Sequence, residues 1–205
     1  MSYRHHVVVS YCWRARAEYG RRDEFRAICD QFSKLLDEKL MGELGSPSST
    51  CVFIDRDCKN GRDYRESIAD ALHHSAVLVP ILDAPYFSSN WCGAEWEIFV
   101  QREAALGLGK ELIFPLHWQD GHSFSSDAKF RNPFDMRDHN CVYGRAEPSK
   151  AYEDFQQKVN EIARRIASTV QRVPPHANSW PRLEYPAVDD GQLPTVPAPN
   201  WGNYD

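Results

Sequence analysis

Two short segments of the chain concentrate side chains that could carry out chemistry. Residues 10–14 read Ser-Tyr-Cys-Trp-Arg, and residues 83–95 end in a tryptophan and a glutamate four positions apart, Trp91 and Glu95. A carboxylate held against a sugar ring can stabilise the positive charge that develops as a glycosidic bond breaks. Aromatic faces can stack on a flat heterocycle, and the guanidinium of Arg14 can neutralise a phosphate oxygen.

The hydrophobic pattern predicts the strands and helices that would position these segments. Apolar runs predict five strands, at residues 7–11, 51–54, 76–82, 111–116 and 141–143. Helical spacing and capping signals predict intervening helices that begin near Asp23, Asp63 and Asn90, and a last one after Ser149.

Alternating strands and helices favour parallel pairing. We therefore expect an α/β fold with a flavodoxin-like, doubly wound sheet of five parallel strands in the order 2-1-3-4-5. Ligands bind to such sheets beyond the carboxyl ends of the strands, where the first and third strands adjoin. Residues 10–14 and 83–95 both fall at that point, which predicts that they form one site.

Composition narrows the classes of function. The chain has 205 residues, a net charge of −5 and 42% hydrophobic residues, which is typical of a globular protein and argues against a nucleic-acid coat or a polybasic membrane binder. The six cysteines lack metal-finger spacing and predict reduced thiols in the cytoplasm. The pairs His5-His6 and His73-His74 are interpreted as structural or surface residues, so we expect no metal site.

The chain divides into a domain and a tail. Residues 1–172 carry the alternating pattern, with a long polar loop region at 117–148. Residues 173–205 hold about half of the 13 prolines together with scattered aromatic residues. That composition predicts a tail without a core of its own.

Residues 86–95, YFSSNWCGAE, resemble the Y-x-x-S-x-W-C-x-x-E signature of TIR (Toll/interleukin-1 receptor homology) domains. Two further motifs follow the order of that family: VSY at residues 9–11 resembles its first strand, and FIDRD at 53–57 resembles its second strand and BB loop. The resemblance covers roughly residues 5–172. The chain departs from the family at Arg14, close to where an acidic residue is common.

The resemblance implies a stand-alone TIR protein of the bacterial type, many of which cleave the nicotinamide–ribose bond of NAD⁺. The catalytic glutamate of those enzymes maps onto Glu95, which we expect the helix dipole to keep ionised in the first turn of its helix. Substrate contacts are expected from Ser10, Tyr11, Trp13, Arg14, Asp57 and Trp91. NAD⁺ is then the substrate, with no further cofactor, and the product is ADP-ribose or a cyclic isomer of it.

The family implies a second possibility, because some TIR domains are non-catalytic scaffolds that recruit partners. Both classes self-associate through TIR–TIR contacts, and the enzymes commonly become active by oligomerising. The resemblance to antiphage defence effectors also implies a sensor or effector protein as partner, with no direct nucleic-acid or membrane contact. Fold alone does not distinguish an enzyme from a scaffold.

Overall fold

Five parallel strands form one sheet in the computed structural model, which describes residues 3–12, 22–45, 51–55, 64–120, 124–141 and 149–183. The strands are β1 (His5–Tyr11), β2 (Val52–Phe53), β3 (Ser75–Leu82), β4 (Leu116–His117) and β5 (Phe134–Asp135). They lie in the order β2-β1-β3-β4-β5, and every neighbouring pair is parallel. The predicted fold class and strand order are confirmed.

The described residues form five α-helices: α1 (Arg22–Leu44), α2 (Tyr64–His74), α3 (Asn90–Leu106), α4 (Ser126–Phe130) and α5 (Lys150–Val170). Right-handed crossovers in this strand order place α1 on one face of the sheet and α2 and α3 on the other. Helix α5 packs beside α1. Within the described ranges, no helix is both long and apolar enough to cross a membrane.

The predicted apolar faces of the helices form the core. In α1, Phe32, Leu36 and Leu40 are completely buried. Helix α5 begins where its sequence signal predicts, since Ser149 caps it by accepting a hydrogen bond from the backbone N–H of Tyr152 at 3.2 Å.

A proline accounts for a gap in the hydrogen bonding beside β3. Pro80 lies inside the fully buried β3 and pairs in register with Ser10 of β1. On its other side, β3 pairs with the chain at Leu78↔Ile113 and again at Ile81↔Leu116, so that Pro80 faces Pro115. Pro80 has no N–H to donate toward this neighbour, whereas the backbone of Pro115 is turned to β5, where its carbonyl accepts from Phe134. The predicted strand at 111–116 is therefore reduced to an isolated bridge and the short β4.

The prediction of a fifth strand at 141–143 was wrong. The fifth strand is Phe134–Asp135, where the backbone N–H of Phe134 donates to the carbonyl of Pro115 at 2.9 Å. Cys141 lies outside any strand, and residues 142–143 lie outside the described residues. The described part of the loop region 117–148 also contains α4 and a 3-10 turn at Arg137–His139. A two-residue strand carries too little periodicity to be recognised in sequence.

The first part of the predicted tail packs against the domain. Trp180 and Leu183 are buried, and the Tyr3 hydroxyl donates to the carbonyl of Pro174 at 2.6 Å. The guanidinium of the buried Arg102 lies 4.3 Å from the centroid of the Trp180 ring. Residues 184–205 lie outside the described residues.

Candidate active site

A cleft opens at the carboxyl end of β1. Its walls come from the end of β1, the residues after β2, the start of α2 and the first turns of α3. The polar and aromatic side chains in the wall include Ser10, Tyr11, Phe53, Asp55, Tyr64, Arg65, Ser89, Trp91 and Glu95. The strand order creates this opening because the helices that follow β1 and β3 lie on opposite faces of the sheet.

The Glu95 carboxylate is held at the wall of the cleft by β1. Ser10 Oγ donates to Glu95 Oε2 at 2.5 Å and also lies 2.8 Å from the Tyr86 hydroxyl. Tyr86 is completely buried and follows β3, and Glu95 lies in α3. The hydrogen bonds of Ser10 therefore connect β1 to the segment after β3 and to α3. The carboxylate therefore has a fixed position while its side chain stays partly exposed to the cleft.

A second carboxylate, Asp55, lies across the cleft. Its two oxygens accept hydrogen bonds from the hydroxyls of Tyr11, at 2.6 Å, and Tyr64, at 2.9 Å. These bonds join the end of β1, the residue after β2 and the start of α2. Burial is the largest cause of the raised pKa of Glu95, and the negative charge of Asp55 adds to it.

Trp91 forms an aromatic face in the cleft and is only half-buried. The guanidinium of Arg65 in α2 lies 5.3 Å from the centroid of the Trp91 ring. A cation over an indole face holds the ring in place through its quadrupole. Trp91 and Arg65 thus supply a flat apolar surface beside a positive charge.

The expectation that Glu95 lies in the first turn of its helix was wrong. Glu95 lies in the second turn of α3, because the helix begins at Asn90 after the Ser89 cap. Burial raises the pKa of Glu95 from 4.5 to about 7, against the opposing effect of the Ser10 hydrogen bond. Loss of water around the carboxylate outweighs a dipole effect that fades beyond the first turn.

The raised pKa predicts how Glu95 affects stability. Between pH 4.5 and 7 the folded chain keeps a proton that the unfolded chain releases, so stability from this group is lost as the pH rises. We expect Glu95→Gln to be more stable than the parent at pH 8, on the order of 2 kcal/mol, and the gain to shrink at pH 5. Urea unfolding at both pH values measures this. An equal gain at the two pH values would contradict it.

The structure brings four of the seven predicted site residues into the cleft: Ser10, Tyr11, Trp91 and Glu95. Trp13, Arg14 and Asp57 lie outside the described residues.

Sequence reasoning missed three groups at the site. Asp55 and Tyr86 stood within the quoted family motifs without an assigned role, and Arg65 had no signal in the sequence. Their positions depend on contacts between different strands and helices, although the two motif residues were available as candidates.

The chain is similar to proteins of one known family. A family model described as the TIR domain matches residues 33–153. Among solved structures, the TIR domain of the Toll-related receptor TRR-2 from Hydra magnipapillata is 16% identical, with a TM-score of 0.40, over 65% of this chain and 84% of that one. No curated protein matches the chain. Because the family model spans more than half of the sequence, this chain belongs to the TIR domain family.

Proposed function

We propose that this protein cleaves the nicotinamide–ribose bond of NAD⁺, with Glu95 as the catalytic carboxylate. The observation that carries the proposal is the position of Glu95, which shares one cleft with the aromatic side chains of Tyr11 and Trp91. Many TIR domains resemble this one in their W-x-x-x-E block and have this activity.

The chemistry requires little beyond one fixed carboxylate. When the C1′–N bond breaks, its electron pair leaves with nicotinamide, which departs as a neutral molecule and needs no acid. The ribose that remains carries positive charge, and the ionised Glu95 beneath it stabilises that charge. A water oxygen then bonds to C1′ and releases its proton, giving ADP-ribose, or the adenine ring attacks instead and gives a cyclic isomer.

The raised pKa of Glu95 fits a cationic substrate. Nicotinamide in NAD⁺ carries a positive charge, and a positive charge close to a carboxyl group favours its ionised form. Substrate binding would thereby supply the charged Glu95 that the free enzyme holds only in part at neutral pH. Trp91 would stack on the nicotinamide ring, and Arg65 would face the diphosphate. Trp13, Arg14 and Asp57 remain predicted substrate contacts.

The purified full chain incubated with NAD⁺ tests the proposal directly. We expect loss of NAD⁺ with release of nicotinamide, at a specific rate that rises with protein concentration if TIR–TIR contacts complete the site. Chromatography of the products distinguishes ADP-ribose from a cyclic isomer. The value of kcat/KM, which reports the free enzyme, should increase with pH through the region near 7, since the ionised carboxylate is the active form. No loss of NAD⁺ at any concentration would contradict the proposal and favour the non-catalytic interaction module.

The biological role proposed for this activity is that of a defence effector. Removal of NAD⁺ would stop the metabolism of an infected cell, or a cyclic product would activate a second protein. This part rests on the resemblance to stand-alone bacterial TIR proteins. A partner that senses the infection would then control self-association.

A further inference from the structure

Three histidine side chains lie close together at the end of the sheet opposite the cleft. His73 and His74 end α2 immediately before β3, and His176 comes from the segment that follows α5. The ring centroids of each pair lie 4.8 Å apart. One potential ligand nitrogen from each ring lies within 4.8 Å of those of the other two. The fold thus gathers three imidazoles from two distant parts of the sequence.

The contacts of His74 determine which of its nitrogens can bind a cation. His74 Nδ1 lies 2.8 Å from the backbone carbonyl oxygen of Asp70 and 3.2 Å from its carboxylate Oδ1. Both are acceptors, so Nδ1 carries the proton and Nε2 keeps a lone pair. Metal-binding histidines commonly have their other nitrogen held by a carboxylate or a backbone carbonyl, as here.

His73 presents a lone pair for a similar reason. Its ring makes a hydrogen bond to the backbone of Pro181, and proline offers only a carbonyl there, so the ring nitrogen donates. His73 Nδ1 is buried and has no hydrogen-bond partner among the residues that the structure describes. The proton is therefore on Nε2, and Nδ1 has its lone pair available in the interior of the protein.

His176 completes the set. Its ring makes a hydrogen bond to the backbone of His73 that favours the protonated ring, which is the effect of donation to a carbonyl. In the neutral ring the other nitrogen carries the lone pair. Neutral imidazole is the form that binds metals.

We propose that His73, His74 and His176 bind a zinc ion, which joins the segment after α5 to the end of α2. Three neutral nitrogens suit zinc among the available divalent ions, with water in a fourth position. Zinc–nitrogen bonds of about 2.0–2.1 Å place tetrahedral ligands about 3.4 Å apart, so the three nitrogens need to approach by at most about 1.4 Å. The His74 and His176 rings, whose planes lie at 21° to each other, also need to rotate so that both planes contain the ion. The site lies at the opposite end of β3 from the cleft, and it is independent of the proposed NAD⁺ chemistry.

Titration of the chelator-treated full chain with Zn²⁺ alone tests this site. We expect about one ion per chain, and Co²⁺ in its place should give the strong visible absorption of a four-coordinate site. His176→Gln and His74→Gln should each weaken binding at least about tenfold. Two controls should bind as the parent does: His139→Gln, which removes a histidine elsewhere, and Cys141→Ser, which removes an exposed thiol.

The thermal midpoint distinguishes a zinc site from a packing cluster. Zinc should raise the midpoint of the parent and raise that of His176→Gln by much less, since the ion binds the folded chain. Unchanged affinity in both site variants, or no binding at about 100 μM Zn²⁺, would overturn the proposal and leave a packed histidine cluster. If circular dichroism shows that His176→Gln does not fold, His74→Gln decides, because the His74 side chain is less deeply buried than that of His176.

Discussion

Glu95→Gln is expected to reduce NAD⁺ consumption about 10²–10³-fold while the chain stays folded. The amide can still accept the hydrogen bond from Ser10, which in the parent is 2.5 Å long, so the side chain should keep its place. What the variant loses is the negative charge beneath the ribose, and that charge acts on the transition state more than on bound substrate. The effect should therefore appear in kcat more than in KM.

Glu97→Gln is the matched control for this prediction. Glu97 lies on the same helix two positions later, is exposed and is not part of the cleft wall. Both variants remove one negative charge from α3, so a general effect of net charge on assembly would reduce both activities. We expect Glu97→Gln to turn over NAD⁺ like the parent. A folded Glu95→Gln chain with normal turnover would show that the catalytic group is elsewhere.

Arg131→Met is expected to destabilise the fold by about 3–5 kcal/mol. Arg131 makes a bidentate ion pair with Glu103, at 2.8 and 2.7 Å, and both side chains are almost completely buried. Glu103 also accepts the backbone N–H of Leu112 at 2.7 Å, so the pair joins α3, the approach to β4 and the end of α4. Removal of the arginine leaves a buried carboxylate without its counter-charge. Denaturant unfolding monitored by fluorescence measures the loss.

Two further variants show whether burial is the cause. Lys158→Met breaks an exposed pair with Glu161, 3.1 Å long, and should cost less than about 0.5 kcal/mol. The double variant Arg131→Met with Glu103→Gln removes both buried charges and keeps an acceptor for Leu112, so it should recover part of the lost stability. Similar losses in Arg131→Met and Lys158→Met would contradict this account.

The strand order illustrates how far the sequence alone reaches. Continuous apolar runs such as residues 76–82 and helical stripes such as that of α1 are strong local signals, and their alternation predicts a parallel sheet. Those signals also predict that Ser10, Tyr11, Trp91 and Glu95 lie at the carboxyl end of the sheet. Short strands have too few residues for a pattern to be recognised. The strand β5 has two residues, and it was predicted at the wrong position.

Properties that depend on contacts between distant residues needed the tertiary structure. The sequence determined the fold class and the cleft, because hydrophobic periodicity specifies local structure and handedness restricts how strands connect. It suggested an ionised Glu95, whereas burial by the surrounding strands and helices raises that pKa to about 7. It also gave no sign that His176 lies against His73 and His74. Desolvation and the meeting of distant side chains are set by packing, and packing is decided only by the folded chain as a whole.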